Sequence, residues 1–310
     1  MGLDPAITAR VSHLWGAHVL QLLSGEVEGV PPAAPMTVEG VTRTDGTVPG
    51  PGGPIPIRWY RSTELAAGEA APTLVWAHGG GWQYGDLDMP EADSVAQLVA
   101  AGLPGVVVTV DYRLAPAHRH PAALDDVLAA FRGVVAAGAV EGVDVTRVAL
   151  GGGSAGAHLA ALATLELADD DVGPAALLLA YPVTDPDGGP YEGRHPDCPP
   201  VLWLGHEGTT GLFRGYLGDG FEGDPPVPAT RDLSRLPPTL VTTAEVDSLR
   251  AQAVRFVGLL RDAGVEVTHH DVRGVLHGYL NTVGDEALAD AALVRHVDWL
   301  RTTRRERSGS

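Results

Sequence analysis

The stretch Val148-Ala-Leu-Gly-Gly-Gly-Ser154-Ala-Gly-Ala-His-Leu-Ala160 decides the fold. Val148, Ala149 and Leu150 make an apolar run too short for a helix, and residues 155–167 are a proline-free segment of good helix formers. Between them stands Gly152-x-Ser154-x-Gly156. A strand, a sharp turn and a helix in that order hold the serine hydroxyl clear of its own backbone. Both flanking positions must be glycine, because a Cβ there would collide with the neighbouring strand or helix. The helix that follows aims its first N–H groups at any oxyanion formed beside the serine. With nine serines and 40 glycines in 310 residues, about 0.15 such matches arise by chance, so corroboration has to come from elsewhere in the chain.

On both sides of this stretch, short apolar runs alternate with helical segments. Strands are expected at Met36–Thr44, Ile55–Tyr60, Thr73–Ala77, Val106–Val110, 148–150, Ala175–Ala180, Thr239–Thr243 and Val265–Asp271. Helices are expected at 5–23, Glu91–Ala101, Pro121–Ala137, Ala155–Leu167, Leu249–Ala263 and Glu286–Leu300. The first two strands flank a Gly/Pro loop and read as an antiparallel pair at the sheet edge. Continuous apolar strands separated by helices require a mostly parallel sheet covered on both faces. The fold class is therefore α/β, with an eight-stranded sheet. Residues 184–230 break the rhythm; rich in Pro and Gly, they read as an insertion over the strand ends. The expected divisions are an N-terminal helix and linker over 1–35, a core over 36–183 and 231–303, the insertion at 184–230, and a disordered tail at 304–310.

Composition narrows the function. Hydrophobic residues are 45% and charged residues 19%, the profile of a folded globular chain. A net charge of −18 argues against binding nucleic acid or anionic lipid, both of which need basic patches. All 21 basic residues are arginines, which removes lysine Schiff-base chemistry and Ser-x-x-Lys enzymes. The single cysteine, Cys198, has no partner for an internal disulfide and no base beside it. The first ten residues lack the basic and apolar regions of a signal peptide, and no 18-residue apolar run occurs. A cytoplasmic protein without a membrane span is expected.

An open α/β sheet builds its site at the carboxyl ends of its strands. After the 73–77 strand comes His78-Gly79-Gly80-Gly81-Trp82, whose glycines let backbone N–H groups converge on one point. After the 239–243 strand come Glu245 and Asp247, of which the loop can turn one inward. After the 265–271 strand comes His277. Serine, acid and histidine in that chain order suit a hydrolytic triad. Among the other histidines, His269 and His270 point to opposite faces of one strand, His13 and His18 are five apart, wrong for a shared helical face, and His195 and His206 lack a carboxylate at ligand spacing, so no metal site is expected.

These residues resemble the hormone-sensitive-lipase family of α/β-hydrolase esterases. The matching pieces are His78-Gly-Gly-Gly-Trp82, Asp111-Tyr-Arg-Leu-Ala-Pro116 with Pro121-Ala-Ala-Leu-Asp-Asp126, Gly-x-Ser154-Ala-Gly156, Ala244-Glu-x-Asp247-x-Leu-Arg250 and His277-Gly-Tyr279. The resemblance implies an α/β-hydrolase fold with Ser154 as nucleophile, Asp247 and His277 as its partners, and the N–H groups of Gly80, Gly81 and Ala155 as an oxyanion hole. It also implies a cap formed by the N-terminal helix and residues 184–230, with the Asp111–Pro116 stretch structural. The chain departs from the family where many members carry Asp or Thr, at Gly153, a second glycine, at Ala157, and Glu, at Ala117. A serine carboxylesterase for short- to medium-chain esters is expected, with no cofactor and a small-molecule ester as its partner. An amidase, lactonase or deacetylase would use the same triad; a non-catalytic ligand-binding member would be expected to have lost part of it. Trp82, Trp203, Phe213 and Tyr216 are candidates for an apolar pocket wall. A homodimer is compatible with the chain.

Overall fold

A computed structural model of the chain describes residues 2–15, 29 and 33–303. Its strands are β1 (Val41–Gly50), β2 (Gly53–Ser62), β3 (Ala71–Ala77), β4 (Val106–Val110), β5 (Val143–Gly153), β6 (Ala176–Ala180), β7 (Thr239–Val246) and β8 (Val267–Leu276). The helices are α1 (Pro5–Val11), α2 (Asp93–Gly102), α3 (Ala122–Ala137), α4 (Ala155–Leu167), α5 (Gly205–Leu217), α6 (Arg250–Asp262) and α7 (Ala287–Thr302). The strands form one sheet in the order β1-β2-β4-β3-β5-β6-β7-β8. β2 runs antiparallel to both β1 and β4, and every other pairing is parallel.

Alternation along the central strands explains both faces. Val75, Leu150, Leu177 and Val241 pack on one side under α3, α4 and α6. Their neighbours Leu74, Ala149, Leu178 and Leu240 pack on the other side under α2 and α7. Every residue of β4 and β6 is buried, so those strands read as unbroken apolar runs rather than alternating ones.

Three expectations need correction. The edge hairpin is longer and later than Met36–Thr44 and Ile55–Tyr60: its ladder runs from Val41↔Ser62 to Gly50↔Gly53, through Pro49↔Pro54. Proline is tolerated there because Pro49 is on the edge strand β1 and Pro54 lies in the part of β2 beyond its pairing with β4, which begins at Ile57. The N-terminal helix expected over 5–23 is α1 followed by a 3₁₀ turn at Ser12–Leu14; residues 16–23 lie outside the described part. The block at 184–230 contains α5, whose buried Thr209, Phe213 and Tyr216 repeat at helical spacing. Glycine at 205, 208, 211 and 215 masks that helix, since glycine is a poor helix former. Among the described residues no helix is long and apolar enough to cross a membrane.

Candidate active site

Four chain reversals, after β3, β5, β7 and β8, meet at one end of the sheet. Ser154 stands between β5 and α4 with φ 52° and ψ −115°, a conformation that an L-residue adopts only under constraint, at about 1–3 kcal/mol. Its N–H donates to the carbonyl of Ala180 at 2.9 Å, tying the turn to β6. The constraint is steric as well. A Cβ on Gly156 would lie 2.0 Å from the Ala77 carbonyl oxygen, and one on Gly152 2.4 Å from the Gly156 carbonyl carbon. Because both obstacles are backbone, Gly156→Ala is expected to cost about 1–3 kcal/mol or more, as overpacked cores do. Thermal unfolding checks this; a variant melting with the parent would show that the turn has room.

Ser154 Oγ lies 2.9 Å from His277 Nε2, and His277 Nδ1 lies 2.7 Å from Asp247 Oδ2. Asp247 Oδ1 also accepts from the Leu249 N–H at 2.9 Å, so its carboxylate is held at both oxygens. The carboxylate is 2% exposed and the serine 9% exposed. Burial works against the imidazolium of His277, but the charge and hydrogen bond of Asp247, with a more distant contribution from Glu91, outweigh it and hold the pKa above the usual histidine range. Glu245 takes a different part: it belongs to β7 and accepts from the Gly274 N–H at 2.8 Å. The structure thus sets Asp247, and not Glu245, against the imidazole.

Opposite the serine, the loop after β3 bends through Gly80 (φ 111°) and Gly81 (φ 60°). Among the described residues, no acceptor takes the N–H groups of Gly80, Gly81 or Ala155. Tyr112 braces this loop from behind. Its hydroxyl donates to the His78 carbonyl at 2.7 Å, and its ring stacks on His78 at 4.3 Å. Arg113 next to it clamps the buried Asp126 through its backbone N–H at 2.9 Å and two guanidinium bonds at 2.8 Å. The Asp111–Pro116 stretch is thus anchored on the second matching piece, at 121–126.

The aromatic wall takes another form. Trp82, Phe213 and Tyr216 are 1%, 2% and 0% exposed, and their rings are spent on one another, with Trp82 stacked on Tyr216 at 5.2 Å. Trp82 Nε1 donates to His158 Nδ1 at 3.3 Å, and His158 Nε2 donates to the Pro226 carbonyl at 2.7 Å. Burial pushes the His158 pKa down to about 3, so the imidazole is neutral, as that pattern requires. Together these groups fasten α5 to α4. Trp203 lies apart, half-buried in a polar cleft with Glu192, His195, Arg250 and Arg273. Cys198 is buried and its thiol is pushed up to about 11 by burial, the reverse of what a nucleophile needs. Among the described residues no group of three His, Cys, Asp or Glu side chains could hold a metal ion.

Two neighbours of the site escape a reading of the sequence. The Leu212 side chain, on α5, lies where a Cβ on Gly81 would be 2.9 Å from its Cδ1. The Leu212 carbonyl accepts from Gln83 Nε2 at 3.0 Å. Glu91, expected at the start of a helix, precedes α2 and is buried against the Gly79 N–H. The even 3–4 spacing of Leu212 and Tyr216 could have signalled the first; nothing local signals the second.

The alpha/beta hydrolase fold family profile matches residues 74–281. The esterase LipI of Mycobacterium tuberculosis is 36% identical over 264 residues, covering 83% of this chain and 81% of its own. The carboxylesterase NlhH of the same organism is 37% identical over 236 residues, 73% of this chain and 72% of its own. Among solved structures, an esterase of Pyrobaculum calidifontis aligns with a TM-score of 0.82 at 30% identity, over 97% of this chain and 98% of that one.

Proposed function

Because the chain belongs to the α/β-hydrolase fold family, in its hormone-sensitive-lipase-like branch, and is a carboxylesterase of that branch, we propose that it cleaves short- to medium-chain esters with a triad of Ser154, His277 and Asp247. The observation that carries this is the unbroken line of contacts from Oγ through the imidazole to the buried carboxylate, 2.9 and 2.7 Å long. Ser154 Oγ attacks the ester carbonyl as its proton passes to His277 Nε2. Asp247 keeps the other proton on Nδ1 and balances the imidazolium. The N–H groups of Gly80, Gly81 and Ala155 receive the oxyanion. The imidazolium then protonates the departing alcohol. His277 next takes a proton from water, whose oxygen attacks the acyl-serine; the imidazolium then returns that proton to Ser154 Oγ as the C–O bond to the serine breaks and the acid leaves.

The cap of this reading comprises residues 184–230 with the N-terminal segment, and α5 is the part that overhangs the oxyanion loop. Leu212 is the side chain best placed to limit the acyl chain, since it lies directly above Gly81. A single, buried cysteine fits a reducing, cytoplasmic setting.

A panel of p-nitrophenyl esters from acetate to decanoate tests the proposal, with the matching anilides beside it. The expected result is highest kcat/KM for short to medium esters and slow turnover of amides. No turnover at any length would sink it. Leu212→Ala is expected to raise kcat/KM for longer chains about tenfold relative to acetate, since one or more methylenes are gained at roughly 0.8 kcal/mol each. An unchanged length profile would remove Leu212 from the acyl site.

A further inference from the structure

The triad leaves one buried ionisable group of the site without a part. Glu91 is 1% exposed and sits behind the serine turn. Its Oε1 accepts from the Gly79 N–H at 2.6 Å, and its Oε2 accepts from the Tyr181 hydroxyl at 2.7 Å and from Asn281 Nδ2 at 3.4 Å. Three donors converge on it, the pattern that suits an ionised carboxylate. Burial raises its pKa above the ordinary carboxylate range, and the bonds from Tyr181 and Gly79 offset part of that rise.

The space it occupies is supplied by the chain's own departure before the nucleophile. A Cβ on Gly153 would lie 2.4 Å from Glu91 Oε1 and 2.6 Å from its Cδ. Gly153 is thus the opening through which a carboxylate from a different loop reaches the back of the site. From there it touches two parts of the machinery. Gly79 leads directly into the Gly80–Gly81 bend, so the 2.6 Å bond fixes where that bend begins. Tyr181, which donates to Glu91, lies with its ring 5.1 Å from the His277 ring, edge to face. The other titratable groups facing this pocket are Tyr112 and Tyr279, along with Asp247 on the far side of His277. All three tyrosines, 112, 181 and 279, are held protonated by burial. Glu91 is therefore the second carboxylate near the imidazole, after Asp247.

We infer that Glu91 is a positioning residue for ester hydrolysis: entering through the space left by Gly153, it fixes the oxyanion loop through Gly79 and adds a second negative charge that favours the His277 imidazolium. The inference rests on the triad reading above, and it predicts effects on kcat more than on KM, because the imidazolium and the oxyanion both form after the ester binds.

Three variants test it, each measured as kcat, KM and a pH profile with p-nitrophenyl butyrate. Glu91→Gln keeps the size and loses the charge. It is expected to lower kcat about tenfold and to move the acidic limb of kcat/KM down by about half a pH unit, since removing an anion makes His277 easier to deprotonate. Gly153→Ala leaves Glu91 in the chain and pushes its carboxylate aside. The group it meets is the end of a flexible side chain, so the variant is expected to fold and to show the same loss. Glu91→Ala combined with Gly153→Asp returns a carboxylate from the other wall, and is expected to regain the parental limb and part of the lost kcat relative to Glu91→Ala alone.

Parental kcat and limb in Glu91→Gln and Gly153→Ala would overturn the inference. So would a loss of kcat with the limb unmoved and the melting temperature lowered, which marks a merely structural part, or a double variant no better than Glu91→Ala. Absence of turnover in the parent protein would instead strike the hydrolase reading itself.

Discussion

Replacing Ser154 by alanine is expected to lower kcat for p-nitrophenyl butyrate by roughly 10⁶-fold, the loss that follows when a triad's nucleophile is removed. What remains is the rate at which the oxyanion donors and the bound pose assist attack by water. The change takes away one oxygen from a site that is 9% exposed, so the melting temperature should stay close to the parent's. The two outcomes together matter: a fold that survives and a rate that does not separate chemistry from architecture. A variant retaining a substantial fraction of the parental kcat would mean that another group attacks the ester. Cys198 is no such candidate, being buried with its thiol pKa raised.

The second large effect belongs to Asp247. Asp247→Asn keeps the shape of the acid and removes its charge, and is expected to cost about 10⁴ in kcat, as loss of the orienting carboxylate does in such triads. It carries a pH signature of its own. In the proposed triad His277 accepts the serine proton only when neutral, so kcat/KM is expected to rise as pH climbs through the folded-state pKa of that imidazole. Burial by itself would bring that value below the ordinary 6.5; the Asp247 carboxylate lifts it above. The parental limb is therefore expected above pH 6.5, and the limb of the asparagine variant lower than the parental one. A limb that stays put in the variant would show that some other group controls it, and the assignment of His277 as base would fall.

Much of this arrangement is legible in the chain, for reasons that differ from element to element. β4 and α4 fall at the residues their composition marks, Val106–Val110 and Ala155–Leu167, because β4 is buried along its whole length and α4 along all but its last turn, and each starts at a glycine or at the serine turn. The edge hairpin is displaced because Pro49 and Pro54 look like loop residues while pairing across the ladder. α5 is hidden by its four glycines. At the site, serine and histidine carry unmistakable flanking glycines, whereas Glu245 and Asp247 differ only by where β7 stops. That point, Val246, is set by pairing with Leu276 across a register shift, which local sequence does not encode. Glu91 was invisible for another reason: an acid in the first turn of an amphipathic helix ordinarily faces solvent and complements the helix dipole. Here the helix begins two residues later, at Asp93, and the acid is folded inward.

The aromatic residues teach the same lesson about partners. Trp82, Phe213 and Tyr216 have the size and apolarity of a substrate wall, yet each is satisfied by the others and by His158. Pairs of this kind contribute about 0.5–1.5 kcal/mol each beyond burial, and they serve to dock α5.

That docking divides the site unequally. The floor, formed by the serine turn and α4, is enclosed in the core, with backbone standing where a side chain at Gly152 or Gly156 would intrude. The roof in the proposed reading is a glycine-rich helix held by the aromatic cluster, by the Gln83 amide, by the Thr210 hydroxyl on the Pro186 carbonyl and by Ser248 on the Gly205 N–H, and nothing lies within 4 Å of where a Cβ on Gly211 would stand. A side chain added at Gly211 therefore meets open space, whereas one added at Gly152 or Gly156 meets the main chain, so the two sides of the site differ in how much change they accept.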